Sequence, residues 1–189
     1  SVNYLRKKFV ATKNLEIIEG DALNFPYILK SQKGLDNFVL LSNLPFNAGS
    51  RILVDLPIYY PHVPLAVILQ KEVAEKVKQN KSLTFFGAWL NLFWNLNVEF
   101  DIAPGNFYPS PKVYSSLITA TPKDTLPSIW QTPQGRLEAR NLLKTLFRKP
   151  RKTVYNNLKG SLFENRTIKA EPNQRLTWAN YSNILQTLT

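Results

Sequence analysis

The sequence predicts an α/β fold with a largely parallel sheet, followed by a small helical C-terminal domain. Three observations carry this prediction. Strand-like and helix-like segments alternate through the first half of the chain. Two fully apolar runs, Phe38–Leu41 and Leu65–Leu69, have the length of strands buried in a parallel sheet. The pattern turns helical after Pro122, where Pro122, Pro127 and Pro133 punctuate a linker. The domain boundary is placed there, giving residues 1–122 and 123–189.

The elements follow in order. Residues 1–9 read as the end of a helix. Leu15–Ile18 predicts a short strand ending at Gly20-Asp21, and Phe38–Leu41 a buried strand ending at Ser42-Asn43. Ala48–Tyr60 reads as a helix with Ile52, Leu53 and Leu56 on one face. Leu65–Leu69 is the second buried strand, and Lys71–Gln79 a charged helix. Thr84–Leu96 predicts a helix whose Phe85, Phe86, Trp89, Phe93 and Trp94 fall at helical spacing, which points to core packing rather than a cofactor box. Val98–Ile102 alternates as an exposed strand does, and Ser115–Thr121 is the last strand. Three helices are expected beyond the linker, at about 135–147, 153–163 and 178–189.

Composition sets limits on function. An apolar content of 44% suits a packed core, and no apolar run reaches the roughly 18 residues a membrane span needs, so no membrane partner is expected. Cysteine is absent, which excludes disulfides and thiolate metal sites. The single histidine, His62, sits in a Pro-His-Val-Pro loop, so no metal site is expected. The start, Ser1–Phe9, does not read as a signal peptide. Methionine is absent, initiator included, so the chain is expected not to begin at its natural start. Charge is the informative number: 24 Lys and Arg against 13 Asp and Glu give a net +11, which favours a polyanion such as nucleic acid.

Four motifs bear chemistry. Asn43-Leu44-Pro45-Phe46 follows a buried strand, and open α/β sheets bind ligands at the carboxyl ends of their strands. The Asn43 side-chain carbonyl and a backbone carbonyl near Leu44 and Pro45 are two acceptors that suit an amino group with two hydrogens. Phe46 beside them can stack on a base, which describes a pocket for the amine of an extruded adenine. An Asn-Pro turn with a core phenylalanine is the plainer reading of the same residues. In Phe107–Ser115, Pro109 and Pro111 stiffen a loop that presents Phe107 or Tyr108, with Lys112 as a phosphate contact. Asp21 in Gly20-Asp21-Ala22 can accept a hydrogen bond from an adenine, although Gly-Asp turns are common. Arg148-Lys149-Pro150-Arg151-Lys152, with Lys159 further on, places four cations in five residues beside a helix start, as a phosphate-binding edge does.

In this order and spacing the motifs resemble the ribosomal RNA adenine dimethyltransferase family, which includes small-subunit rRNA dimethylases, erythromycin-resistance methylases and mitochondrial transcription factor B proteins. The resemblance runs through Ile17–Leu23, Asn43–Phe46, Leu69–Ala74, Phe107–Val113 and Arg151–Leu158, the last being similar to the small-subunit branch. It implies a Rossmann-like methyltransferase sheet that uses S-adenosylmethionine (SAM). Gly20, Asp21, Ala22 and Asn43 would border that cofactor. Asn43, Leu44 and Pro45 would hold the target N6 amine, with Phe46 and Phe107 on either face of the base. Lys112, Arg148, Lys149, Arg151, Lys152 and Lys159 would meet RNA. The implied activity is dimethylation of two adjacent adenines near the 3′ end of small-subunit rRNA, by a monomer acting on a pre-30S-type particle. The implied location is the cytoplasm, or a mitochondrion or plastid in a eukaryote. A non-catalytic RNA- or DNA-binding member of the same fold is the alternative.

The family also carries an upstream glycine-rich loop and an acidic residue that binds the SAM ribose. Here the seven glycines never cluster. The chain is therefore expected to be a fragment that lacks roughly 80 upstream residues, the first two strands among them. Its first strand would have no partner and two sheet edges would lie open. Two smaller departures are Phe46 in place of a tyrosine and Tyr114 in place of an Asp, which puts a polar role there in doubt.

Overall fold

A computed structural model describes residues 2–25, 28–29, 37–149, 151–165, 170–171 and 173–186. Helix α1 spans Val2–Lys8 and buries none of its residues, with every one exposed but half-buried Val2. The expected strand at Leu15–Ile18 does not form. Residues 15–19 lie outside the sheet, with Leu15 and Ile18 about half exposed, and Arg6 and Glu19 stand 3.9 Å apart. A strand exists only by pairing, and among the described residues nothing lies alongside this segment to accept its ladder bonds.

Four strands build one sheet: β1 (Leu40–Asn43), β2 (Leu65–Gln70), β3 (Trp94–Ile102) and β4 (Ser115–Pro122). Their spatial order is β1-β2-β4-β3, with β1 parallel to β2 and β4 antiparallel to both of its neighbours. The sheet is thus mixed: β1, β2 and β3 run one way, and β4 is reversed between β2 and β3. Strand β2 alternates, with Leu65, Val67 and Leu69 buried and Ala66 and Ile68 half-buried on the other face. Strand β1 starts two residues later than the apolar run suggested, and it is an edge strand, with Val39 61% and Leu41 74% exposed.

Helix α2 (Gly49–Tyr59) buries the expected face of Ile52, Leu53 and Leu56. Helix α3 (Lys71–Glu75) is shorter than predicted because the backbone after it is claimed from outside. Asn91, buried, donates to the Val77 carbonyl at 3.0 Å, and helix α4 (Phe85–Phe93) crosses so close that a Cβ on Gly87 would stand 2.0 Å from the Lys76 oxygen. Thr84 caps α4 by accepting from the Gly87 N–H at 3.0 Å. The helix ends at Phe93, not Leu96, since Trp94 is already paired opposite Pro122 in β3 and donates its indole N–H to the Val63 carbonyl. The aromatic residues of α4 are core, as their spacing implied: Trp89 and Phe93 are fully buried.

After the linker come α5 (Pro133–Leu146), α6 (Val154–Leu158) and α7 (Tyr181–Gln186). The last two are shorter than predicted, and residues 187–189 of the expected final helix lie outside the described residues. Pro133 at the first turn and the Thr132 cap start α5 as their chemistry dictates. Two arginines one turn apart dock it onto α2. Buried Arg136 donates to the Ile58 carbonyl at 2.8 Å and to the Trp130 carbonyl at 2.5 Å, and Arg140 meets Asp55 at 2.6 Å. Leu142, Leu143, Leu146 and Ile184 join the same buried cluster as Leu56, Val67 and Trp89.

Candidate functional site

The turn Asn43–Phe46 leaves β1 at its carboxyl end. Leu44 pins it: the side chain is buried, and its N–H donates to the Ile68 carbonyl at 3.2 Å. The Pro45 carbonyl accepts from Ala48 at 3.1 Å and Gly49 at 2.7 Å, satisfying N–H groups that open α2. That carbonyl is committed to the helix, so the Leu44 carbonyl is the backbone acceptor left at this turn, and no described residue donates to it. The Asn43 side chain is exposed and has no hydrogen-bond partner among the described residues. Phe46 is 36% exposed and so is not a core phenylalanine. Gly49 permits the close fit, since a Cβ there would stand 3.0 Å from Leu69 Cδ2 and 3.1 Å from Leu44 Cβ.

The register brings other candidates to the same end of the sheet. Asn43 lies beside Ile68, Gln70 beside Ser115, and Ser115 beside Ile102. The Asn43–Phe46 turn, Gln70-Lys71 and the loop between β3 and β4 therefore share one edge. In that loop the Ser110 hydroxyl donates to the Pro104 carbonyl at 2.9 Å, and the Phe107 N–H donates to the same carbonyl at 3.1 Å. Of the two aromatic candidates, Phe107 is half-buried against the fold and Tyr108 points fully into solvent. Lys112 is exposed.

Sequence reasoning gave no role to Lys71. Its ammonium meets Asp101 at 2.5 Å, and Ser116 donates to the other Asp101 oxygen at 2.7 Å. The Lys71 ammonium and the Ser116 hydroxyl hold the Asp101 carboxyl below its usual range, and Asp101 in turn pushes the Lys71 ammonium up. The Lys71 N–H donates to the Tyr114 carbonyl at 2.9 Å, and its ammonium lies 5.9 Å from the centre of the Tyr114 ring. Lys71 and Asp101 are 30 residues apart, and no local pattern pairs them.

On the cofactor side, Gly20, Asp21 and Ala22 are exposed. They follow an unpaired segment rather than ending a strand, which corrects the expected setting of Asp21. One Asp21 oxygen accepts from the Leu23 N–H at 2.9 Å and caps a short 3₁₀ turn, Ala22–Asn24, which lies against α2. The other oxygen takes no bond from a described residue.

The basic turn is exposed at Arg148, Lys149, Arg151, Lys152 and Lys159, while Pro150 lies outside the described residues. A residue with no predicted role shapes it. Buried Asn157 accepts from the Lys149 N–H and donates to the Lys149 carbonyl, both at 3.1 Å. Lys152 reaches a small cavity that Leu83 also lines, while Ser82 and Thr84 line a cleft of about 860 Å³ at the Lys71–Tyr114 edge. Residues 82–84 thus form a common wall between the sheet edge and the basic turn.

A sheet with one reversed strand, a strand-end Asn-Leu-Pro-Phe turn and flanking helices are the marks of a Rossmann-like methyltransferase fold. The chain belongs to the ribosomal RNA adenine dimethylase family, which matches it over residues 2–188. Among similar proteins, the ribosomal RNA small subunit methyltransferase A of Porphyromonas gingivalis is 31% identical over 166 residues, covering 86% of this chain and 62% of that protein. The namesake from Helicobacter pylori is 32% identical over 172 residues, covering 84% and 61%. The chain thus spans about three fifths of the length of these relatives. Among solved structures, a dimethyladenosine transferase from Plasmodium falciparum shares the fold with a TM-score of 0.62 at 23% identity, covering 83% of this chain and 55% of that one. The 23S rRNA methyltransferase ErmE does so with a TM-score of 0.59 at 15% identity, covering 87% and 64%.

Proposed function

We propose that these residues carry the target-base half of a SAM-dependent dimethylase, which modifies N6 of two adjacent adenines near the 3′ end of small-subunit rRNA during ribosome biogenesis. The observation that carries the reading is the pair of acceptors at the end of β1: the Asn43 side chain without a partner, beside a Leu44 carbonyl that α2 does not use. The family membership and the names of the relatives support it.

The chemistry these residues perform is electrostatic. The lone pair of an adenine N6 is delocalised into the ring. Asn43 Oδ1 and the Leu44 carbonyl, each accepting one N–H, would favour a pyramidal nitrogen and stabilise the positive charge that develops as it is methylated. Phe46, stacked on the base with Phe107 opposite, would supply alignment. When bound, SAM supplies an electrophilic methyl group on a sulfonium. Asp21 and Asn43 fit its adenine and methyl ends. Val39 and Leu41, exposed before and on β1, are apolar and offer a ribose no side-chain hydrogen bond. Lys112, Arg148, Lys149, Arg151, Lys152 and Lys159 would hold phosphates of the rRNA in a pre-30S-type particle, the protein acting as a monomer in the cytoplasm or an organelle. The helical part, residues 123–189, would serve as the RNA-gripping domain beside the methyltransferase domain, residues 1–122.

Substituting Asn43→Ala in the full-length protein should abolish N6,N6-dimethyladenine formation while leaving RNA affinity within about twofold, since charge and not this amide dominates affinity. Persistent methylation would overturn the pocket. Reversing Arg151 and Lys152 to Glu should weaken RNA binding and flatten its salt dependence, and no change there would remove the basic turn from the interface.

A further inference from the structure

Of the residues that line the cleft of about 860 Å³ beside Gln70, only Lys112 has a part in the proposed site. The lining sets Lys71, Lys76, Lys81 and Lys112 against Glu72 and Glu75, with Val113 and Tyr114 alongside. Tyr114 is 52% exposed and Val113 44%, so an aromatic ring and a methyl-bearing side chain face an open, cation-rimmed hollow. The Lys71 ammonium lies 5.9 Å from the ring centre and is paired with Asp101, so it adds little free charge to the cleft. Lys76 and Lys81 pair only loosely, at 3.9 Å with Glu72 and 3.7 Å with Glu75, and Lys112 has no ion pair among the described residues. The Tyr114 ring belongs to the residue whose carbonyl takes the Lys71 N–H at the carboxyl end of β2, the end that carries Asn43.

We propose that this cleft is a second base-stacking subsite, in which Tyr114 is the platform for the nucleotide flanking the target adenine and Lys112 meets that nucleotide's phosphate. The subsite rests on the reading of the protein as an RNA-adenine methylase. Single-stranded nucleic acid is held by this combination of an exposed ring and surrounding cations, because every base has a π-face and every link a charge. The occupant is single-stranded RNA rather than a peptide, since the rim is lysine-rich and the chain is +11 overall. Ser82 and Thr84 of this cleft flank Leu83, which lines a separate small cavity together with Lys152 of the basic turn.

The test uses the full-length protein and a short single-stranded RNA in which 2-aminopurine replaces the base next to the target adenine. Stacking on Tyr114 should quench its fluorescence. Tyr114→Phe should retain quenching and affinity. Tyr114→Ala should lose the quenching and weaken binding about tenfold, within the range found for removing one stacked base. Lys112→Ala should weaken binding, leave quenching at saturation intact and reduce the salt slope by about one counterion. If Tyr114→Ala quenches and binds like the unsubstituted protein while the Arg151/Lys152 reversal still weakens binding, the subsite is wrong and the RNA reading stands. If the unsubstituted protein binds no RNA, both fall.

Discussion

Asn157 and Lys149 exchange two hydrogen bonds, both 3.1 Å long, across eight residues of chain. The amide of one buried side chain thereby fixes the backbone at the start of the basic turn, and a third, longer contact at 3.5 Å reaches the Lys152 carbonyl. The cations themselves stay exposed, but the spacing between them is set from the core side.

Replacing Asn157 by Leu should therefore act on RNA binding without touching a charge. The lost bonds free the Lys149 N–H and C=O, and since Lys149 is exposed and water can reach it, the cost is that of ordinary hydrogen bonds, about 0.5–1.5 kcal/mol each. The expected result is a lower thermal midpoint together with RNA affinity reduced several-fold at unchanged net charge. Asn157→Asp keeps the acceptor for the Lys149 N–H and should restore part of the effect. Affinity equal to that of the unsubstituted protein in both variants would show that the turn does not need its clamp.

Gly87 sits where no side chain fits. Its added Cβ would stand 2.0 Å from the Lys76 oxygen and 3.1 Å from the Lys76 carbonyl carbon, both backbone atoms that cannot swing away. Ala is the better helix former, by about 0.8–1.0 kcal/mol over Gly, so propensity alone predicts stabilisation. Overpacking, typically about 1–3 kcal/mol, should win because the clash is with main chain. Gly87→Ala should lower the urea midpoint, and a raised midpoint would mean the 71–84 segment is free to move off α4.

The Lys71–Asp101 pair gives the edge a pH dependence. Asp101 has its carboxyl held below the ordinary value of 3.8, first by the hydrogen bond from Lys71 and then by that from Ser116. Its contribution to stability is complete above that ordinary value and is lost as pH falls through the lower, folded value. Lys71 is raised above 10.5, so its share is complete below that value and is lost as pH climbs through the folded one. Denaturation midpoints of the unsubstituted protein and Asp101→Asn should differ by a constant amount between about pH 5 and 9 and converge in acid. A difference that persisted far below the carboxylate range would assign it to something other than the ion pair.

Calorimetric titration of these 189 residues with SAM should give no saturable heat in the micromolar range. The chain offers acceptors at Asp21 and Asn43, while the exposed side chains nearest β1's start, Val39 and Leu41, are apolar. Tight binding would show that the described residues complete the cofactor site unaided.

What could be read from the chain divides along physical lines. The strand at Leu65–Leu69 and the Ile52–Leu56 face were legible because apolar patterning answers to burial: the structure buries Ile52, Leu53, Leu56, Leu65, Val67 and Leu69 and half-buries Ala66 and Ile68. Asn43–Phe46 was legible as a strand-end turn because strand ends are where such sheets bind. Leu15–Ile18 misled because a strand's existence depends on a neighbour that local sequence does not contain. Trp94 misled because an apolar residue continuing a helical pattern was claimed by β3 and by the Val63 carbonyl. Asn91, Asn157 and the Lys71–Asp101 pair were invisible for the same reason: each matters through a contact that the fold makes and the spacing does not announce.

The docking of α5 on α2 has a mechanical consequence. Helix α2 opens on the Pro45 carbonyl and is held further along by Arg136 at Ile58 and Arg140 at Asp55. It carries the Asn43–Phe46 turn at one end and the two arginine contacts near the other, with Pro57 inside its last turn. A substitution that loosens α5 from α2 is therefore expected to disturb the Asn43–Phe46 turn as well, because one helix carries both sets of contacts.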